Sequence, residues 1–415
     1  MKKLFITILM FVSVFVPLAA NNLFSFQGIT QVPLFKEPAA DPYAFNSHLN
    51  VLIALDENQR PNKVYSIITE KNNADESNYR VFYDFLNYSD DAFKADNNKY
   101  FNMKTGVAMS LCRIRFEGFS WFPSIDVEAN LAGYLNTIFC MFGKNDTLDF
   151  DGSYLIGGSI RFADLLTFRI GLHHFSGHYG DEMLNKYYAY NAVDASTRFN
   201  DGALFTYANA RDGYDYYLVS PVEYVRDNSW IFGVATEIPA NKFSVYMYGE
   251  AELPKNPSWF RPLAHVPADY KNPIDEEGRP TLIDRIGGTA ADGEQFPQNQ
   301  LDEEQVIKRT ASGRYKAWRI HAGTEVRYPM SFGSAFVACD VQFHQDGKTL
   351  HKIGGYNTEN PWEMELTIGG GLEFGNILSD GKTMRIEAYY HDGRVPATQW
   401  FYQRMKSVSI GVGIN

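Results

Sequence analysis

From about residue 104 the chain alternates apolar and polar positions with a period of two. In WRIHAGTEVRY, 318–328, Trp318, Ile320, Ala322, Thr324, Val326 and Tyr328 fall on one face. Arg319, His321, Gly323, Glu325 and Arg327 fall on the other. The next run keeps the pattern, with Ala335, Val337, Cys339, Val341 and Phe343 opposed by Ser334, Asp340, Gln342 and His344. Residues 122–135 and 365–374 repeat it. Period-two alternation marks a strand with one apolar and one polar face.

Eleven such strands are predicted, at about 104–116, 122–135, 152–162, 166–178, 217–238, 241–253, 317–328, 332–345, 362–375, 382–392 and 405–414, the fifth long enough to break near Asp227. Most last ten or more residues, close to what a tilted membrane strand needs and longer than the usual soluble strand. Their connections alternate in length. Short links fall at Gly118–Trp121, Ala163–Leu165, Pro239–Asn241, Pro329–Ser331 and Gly375–Gly381. Long ones run over about 136–151, 179–216, 254–316, 346–361 and 393–404. Short turns at one end and long loops at the other make the outer-membrane pattern.

Bacterial barrels close with an even number of strands. A twelfth is therefore expected from 21–100, where Ser47–Leu55 and Tyr79–Leu86 are the candidates. The fold class expected is all-β: a transmembrane, antiparallel, up-and-down β-barrel of about 12 strands, with 10–14 compatible. Residues 21–100 are an N-terminal extension, a plug or the first strands. Residues 101–415 are the barrel, with external loops at 179–216 and 254–316.

The start of the chain agrees with export. MKKLFITILMFVSVFVPLAA has two lysines, an apolar run and a small-residue end, the layout of a signal peptide over 1–20. No cysteine follows it to take a lipid anchor. The expected location is the outer membrane of a diderm bacterium. Phe, Tyr and Trp make up 15% of the chain, as a barrel with aromatic girdles requires. The net charge is −11, and loss of Lys2 and Lys3 makes it −13, which disfavours nucleic acid as a partner. The odd cysteine count (Cys112, Cys140, Cys339) points to small apolar side chains rather than a disulfide framework. Expected partners are outer-membrane lipids, lipopolysaccharide or its equivalent, and the barrel-assembly machinery. The oligomeric state is left open.

The polar faces carry both signs: Arg161, Arg169, Glu250, Glu252, Arg319, Glu325, Arg327, Asp340, Glu365, Glu373, Arg385 and Glu387. A selective pore shows an excess of one sign. The mixture favours a lumen filled by ion pairs over the other reading of these residues, an ion or solute pathway.

One stretch concentrates candidate chemistry. HHFSGHYGDE, 173–182, closes the strand that begins Phe168, Ile170, Leu172. By parity His174, Ser176 and His178 share the apolar, outward face, and His173 turns inward with Arg169. The strand enters a long loop, so this is the outer rim. Residues two apart on one strand face lie about 6.5–7 Å apart, close enough for a histidine to serve a serine as general base. Asp181, Glu182, Asp215 and Glu223 are the candidates for the group that orients the imidazole. Three uses are open: a hydrogen-bonded knot at the rim, a serine hydrolase with His174, Ser176, Asp181 and Glu182, or a metal site of His174, His178, Asp181 and Glu182. No cofactor is expected, Ca2+ or Zn2+ entering only with the alternative readings.

The segment DTLDFDGSYLIGGSIRFADLLTFRIGLHHFSGHYGDE resembles a family of bacterial outer-membrane proteins marked by His-x-Ser-Ser-His-x-Gly-Asp-Glu at a strand end. His174, Ser176, His178, Gly180, Asp181 and Glu182 carry the match, and Gly177 replaces the second serine. The resemblance runs over about 120–402 and includes YYHDGRVPATQWFY, 389–402. It implies a barrel and brings no activity with it. More distantly, His174 and Ser176 are similar to the outward His-x-Ser of outer-membrane phospholipase A and the lipid A deacylases. Those enzymes place an Asn or Glu about twelve residues after the serine, on the next strand; here that position is Tyr188, inside a long loop. The function expected is that of an outer-membrane barrel with a structural, surface-exposed or transport role. The alternative is an outer-leaflet lipid hydrolase, of phospholipase or lipid A deacylase type, using His174 and Ser176.

Overall fold

A computed structural model describes residues 23–56, 61, 63–72, 79–87, 98–141, 147–182, 207–211, 214–221, 224–254, 318–344, 362–375, 383–400 and 403–414. Seventeen strands fall among them. They are β1 Phe24–Gln27, β2 Ser47–Ala54, β3 Lys63–Asn72, β4 Tyr79–Asn87, β5 Lys99–Phe116, β6 Ile125–Cys140, β7 Thr147–Phe162, β8 Leu166–Tyr179 and β9 Tyr207–Arg211. The rest are β10 Tyr214–Pro221, β11 Tyr224–Ala240, β12 Phe243–Pro254, β13 Arg319–Met330, β14 Gly333–His344, β15 Glu363–Phe374, β16 Met384–Arg394 and β17 Arg404–Ile414.

Twelve of these strands close a barrel in the order β5-β2-β17-β16-β15-β14-β13-β12-β11-β8-β7-β6, with β6 returning to β5. Every neighbour is antiparallel. All eleven alternating runs are in the wall, and Ser47–Ala54 supplies the twelfth strand. The other candidate, Tyr79–Asn87, lies in a separate four-stranded sheet ordered β4-β3-β10-β9. The run 217–238 is divided between that sheet and β11. Its break is not at Asp227, which keeps register with Phe175. Most of the long loops 179–216 and 254–316 lie outside the described residues, as do the signal segment 1–20, Asp215's side chain and Glu223.

The exterior is apolar from end to end. Ile156, Ile170, Val337 and Ile410 are 51–60% exposed. So large an apolar surface is stable only against lipid, so the barrel belongs in an outer membrane. At the short-turn end Phe116, Phe119, Trp121 and Phe122 cluster with ring centroids 5.2–5.9 Å apart, and Phe162 meets Phe168 at 6.1 Å, an aromatic girdle. The three-residue β7–β8 turn has two residues at positive φ, Ala163 at 54° and Asp164 at 56°, as the centre of a primed turn needs. Arg115 clamps it with two bonds to Asp164, 2.6 and 2.9 Å, and holds that carboxyl below its usual range.

The lumen is filled by the chain itself. Between β1 and β2, both on the same edge of β5, residues 34–46 leave the wall. Side chains from seven strands then reach this one segment. Lys104 (β5) donates to the Pro42 and Ala44 carbonyls, Glu128 (β6) accepts from Leu34 N, and Arg161 (β7) donates to Leu34 O. Arg169 (β8) pairs with Glu37, Tyr246 (β12) donates to Lys36 O, Glu325 (β13) accepts from Ala39 N, and Gln342 (β14) donates to Asp41. Only a segment inside the barrel can be touched from so many sides. Leu34, Phe35, Ala39, Ala40, Ala44 and Phe45 are all buried there.

Ion pairs fill the remaining space, as the mixed polar faces predict. Arg169 meets Glu250 at 2.5 Å and Glu37 at 2.9 Å. Arg319 meets Glu252, and Arg327 bridges Glu325 and Glu373. Glu365 takes His344 and Arg394, and Arg404 takes Glu363 and Asp392.

Candidate active site

Strand β8 keeps its alternation to the end. Its register with β7 runs unbroken from Leu166–Phe162 to Tyr179–Asp149, and with β11 from Leu166–Thr236 to His178–Tyr224. No bulge shifts the parity. His173, Phe175, Gly177 and Tyr179 are buried inward, whereas His174, Ser176 and His178 face out. Their height follows from the strand. From Leu166 to Ser176 the chain climbs about 33 Å, which at a tilt of about 40° is roughly 25 Å of vertical rise, the full height of an apolar belt. Ser176 therefore sits where the outer leaflet meets its headgroups.

The hydrogen-bond partner of the His174 ring, which sequence could not identify, is Asn228. It stands on β11 directly across from His174. Asn228 Oδ1 lies 3.0 Å from His174 Nδ1. The amide oxygen accepts the Nδ1 proton, which leaves Nε2 as the ring nitrogen outside this bond. On its other flank His174 stacks on Tyr154 of β7, centroids 4.8 Å apart and planes 25° from parallel. The imidazole is thus fixed from both neighbouring strands, two residues from Ser176 on the same face. Among the described residues no hydrogen bond yet joins Ser176 Oγ to His174, as is common before substrate is present.

Two expectations need correction. Asp181 and Glu182 do not orient the imidazole. They are exposed residues past the end of β8, and His174 to Tyr179 alone spans about 16 Å. Nor can His174, His178, Asp181 and Glu182 hold one Ca2+ or Zn2+. His174 and His178 are four residues apart on a continuous strand, about 13 Å, where ligands of one ion must lie within a few ångströms. Among the described residues, the grouping compact enough for a metal is Asp41, His321 and Asp340, whose ligand atoms lie within 4.8 Å in the lumen. There Tyr248 and His321 donate to Asp340, Gln342 donates to Asp41, and His321 also meets Glu250 at 3.2 Å, so the group reads as part of the ion-pair network.

The inward half of the stretch does the work of the expected knot. His173 bridges Ser153 Oγ at 2.7 Å and Glu252 at 2.6 Å. Ser153 Oγ donates to the His174 carbonyl at 2.9 Å, which pins the backbone beneath the outward ring. Higher up, the segment 395–400 folds in against the wall. Thr398 N donates to Asp151 at 2.7 Å, and Trp400, fully buried, meets Tyr179 with centroids 5.2 Å apart. HHFSGHYGDE and VPATQW, far apart in sequence, are therefore one unit. Gly177 is the contact point. A Cβ there would lie 2.6 Å from Asp151 Oδ1, 2.7 Å from Gln399 N and 2.9 Å from Thr398 Cβ. Gly177→Ser should lower stability by about 1–3 kcal/mol through overpacking. An unchanged urea midpoint in lipid vesicles would show that the 398–399 backbone is not held against this strand.

Known proteins add likeness of shape. No family model matches the chain, and no curated protein matches it. Among solved structures, outer membrane phospholipase A from Escherichia coli aligns with 7% identity and a TM-score of 0.36, covering 89% of this chain and 92% of its own. The β-domain of the Bordetella autotransporter BrkA gives 7% and 0.32 over 88% and 98%. An outer membrane channel from Pseudomonas putida gives 7% and 0.27 over 92% and 98%. Neither identity nor TM-score at these values assigns an activity. The chain's own geometry shows a twelve-stranded barrel of outer-membrane type, with serine, histidine and asparagine gathered on its lipid-facing wall.

Proposed function

We propose that the protein is an outer-leaflet lipid hydrolase with Ser176 as nucleophile, His174 as general base and Asn228 as the group that orients it. One observation carries this reading: the 3.0 Å contact of Asn228 Oδ1 with His174 Nδ1, on the outward face and beside Ser176. A polar pair on a lipid-facing wall is costly unless it serves a purpose. Histidine held by an acceptor at Nδ1 and open at Nε2 is the form that activates a hydroxyl. A lumen crossed by residues 34–46 weighs against a solute pathway.

The chemistry is acyl transfer. Ser176 Oγ bonds to the carbonyl carbon of a lipid ester while its proton passes to His174 Nε2. The bond to the leaving alcohol breaks, and His174 returns the proton to that alkoxide. Water, deprotonated by the same nitrogen, then attacks the acyl-serine; the acyl–Oγ bond breaks, His174 returns the proton to Ser176 Oγ, and fatty acid leaves. Asn228 stays neutral and hydrogen-bonded to Nδ1 throughout. The substrate class is an ester-linked acyl lipid of the outer leaflet, a phospholipid or an acylated lipopolysaccharide or its equivalent.

A sulfonyl fluoride tests the nucleophile directly. The purified barrel, presented with phospholipid in mixed micelles, should release fatty acid and take one sulfonyl group on Ser176, read by intact mass and peptide mapping. A protein that neither releases fatty acid nor takes the label is not this hydrolase.

A further inference from the structure

Gly152 is the register partner of Ser176 on β7 and of Leu135 on β6. The three form one row across three strands of the outward face. Glycine inside a strand weakens it, so its presence asks for a reason. Most other wall glycines supply one in their packing, Gly249 being an exception with nothing closer than 3.8 Å. A Cβ on Gly157 would lie 2.3 Å from Ile170 O, and one on Gly369 2.1 Å from Ala388 O. Gly152 differs. Its φ is not in the left-handed region, and its Cβ would meet only Leu135 Cδ2 and Ser176 Oγ, each at an ordinary 3.7 Å. Neither the backbone nor the packing demands a glycine there.

What the missing side chain leaves is space beside the serine. Phe150 and Tyr154, both 46% exposed, rise two residues above and two below on the same face. Leu135, 54% exposed, stands at the far end. The result is a slot, floored by Gly152, walled by two aromatic rings, and open to lipid. The backbones of Ser176 and Leu135 stand roughly 10 Å apart, at about 4.8 Å per strand, and the two side chains lean in to 3.7 Å on either side of the missing Cβ. The slot's walls are apolar and carry no charge, and its closed end is a nucleophile.

We infer that the Leu135–Gly152–Ser176 row is the acyl subsite. One extended acyl chain lies across β7 over Gly152, between Phe150 and Tyr154, and presents its carbonyl carbon to Ser176. This inference rests on the hydrolase reading and adds the direction from which the acyl chain enters.

Gly152→Leu and Gly152→Ala in the full-length protein test it, with p-nitrophenyl palmitate and p-nitrophenyl acetate as probes in detergent micelles. Gly152→Leu fills the slot, so the ratio of kcat/KM for palmitate to that for acetate should fall about tenfold or more, with Gly152→Ala intermediate. A ratio unchanged in both variants overturns the slot, whatever happens to the absolute rates. If Gly152→Leu loses the heat-modifiable gel migration of a folded barrel, Gly152→Ala alone decides, because its Cβ meets nothing closer than 3.7 Å. Failure of the wild-type protein to cleave either ester while remaining unlabelled by sulfonyl fluoride overturns the hydrolase reading itself, a result distinct from an unchanged ratio.

Discussion

Ser176→Ala is expected to lower fatty-acid release from phospholipid micelles by about 10³- to 10⁶-fold, and His174→Ala by a similar factor. Asn228→Ala should cost less, roughly 10²- to 10⁴-fold, because it removes the orientation of the ring rather than the base. The double variants discriminate further. If the three residues act as one unit, Ser176→Ala with Asn228→Ala is no slower than Ser176→Ala alone. Additive losses would mean that Asn228 acts elsewhere. Equal product from wild type and Ser176→Ala would take Ser176 out of the chemistry. The ring's setting makes these outcomes specific: Tyr154 stacks on one side at 4.8 Å, and Asn228 accepts on the other at 3.0 Å. Loss of Asn228 leaves the stacked ring free to turn over and present the wrong nitrogen.

Arg169→Met is expected to cost about 3–5 kcal/mol of stability. Arg169 reaches Glu250 on the wall and Glu37 on the lumen segment, and its guanidinium lies 4.1 Å over the Phe35 ring. All three charged side chains are at most 6% exposed. Removing the arginine takes the shared cation from two buried carboxylates. Among the described residues it leaves Glu250 only His321 and Glu37 only the Phe45 N–H, and that desolvation, more than the lost attraction, sets the magnitude. The urea midpoint of the refolded barrel in lipid vesicles reads it. Arg169→Met with Glu37→Leu and Glu250→Leu should recover part of the loss, since both carboxylates leave with the arginine and His321 keeps Asp340, while the Phe45 N–H loses its acceptor. A single variant as stable as wild type would show that the segment 34–46 does not depend on this pair.

The wall was legible because lipid outside and ion pairs inside impose opposite demands on successive residues. That is why Ile320 and His321, or Leu366 and Thr367, sort by parity alone. The lumen segment carries no such signal. Leu34, Ala39 and Ala44 are held by side chains from β5, β6 and β13, with no ladder whose period could be read. The serine and histidine were legible too, since they interrupt the apolar face that Phe168, Ile170 and Leu172 begin. Asn228 was not. Its partner lies 54 positions earlier, across a long loop, and a neutral amide stands out less than Asp181 or Glu182. A search for the next strand's outward polar residue, rather than for a fixed spacing or a charge, would have reached it. The two faces of HHFSGHYGDE were legible by parity as well. The partners of its inward face, Ser153, Glu252 and the segment 398–399, were not, because they come from other strands and from a loop far along the chain.

The seam of the barrel is where β17 meets β2, and β2 follows directly on residues 34–46, which cross the interior. The segment that fills the lumen and the strand on which the wall closes are therefore one continuous piece of chain. What looks like a stopper is, by its connection, also the clasp of the cylinder.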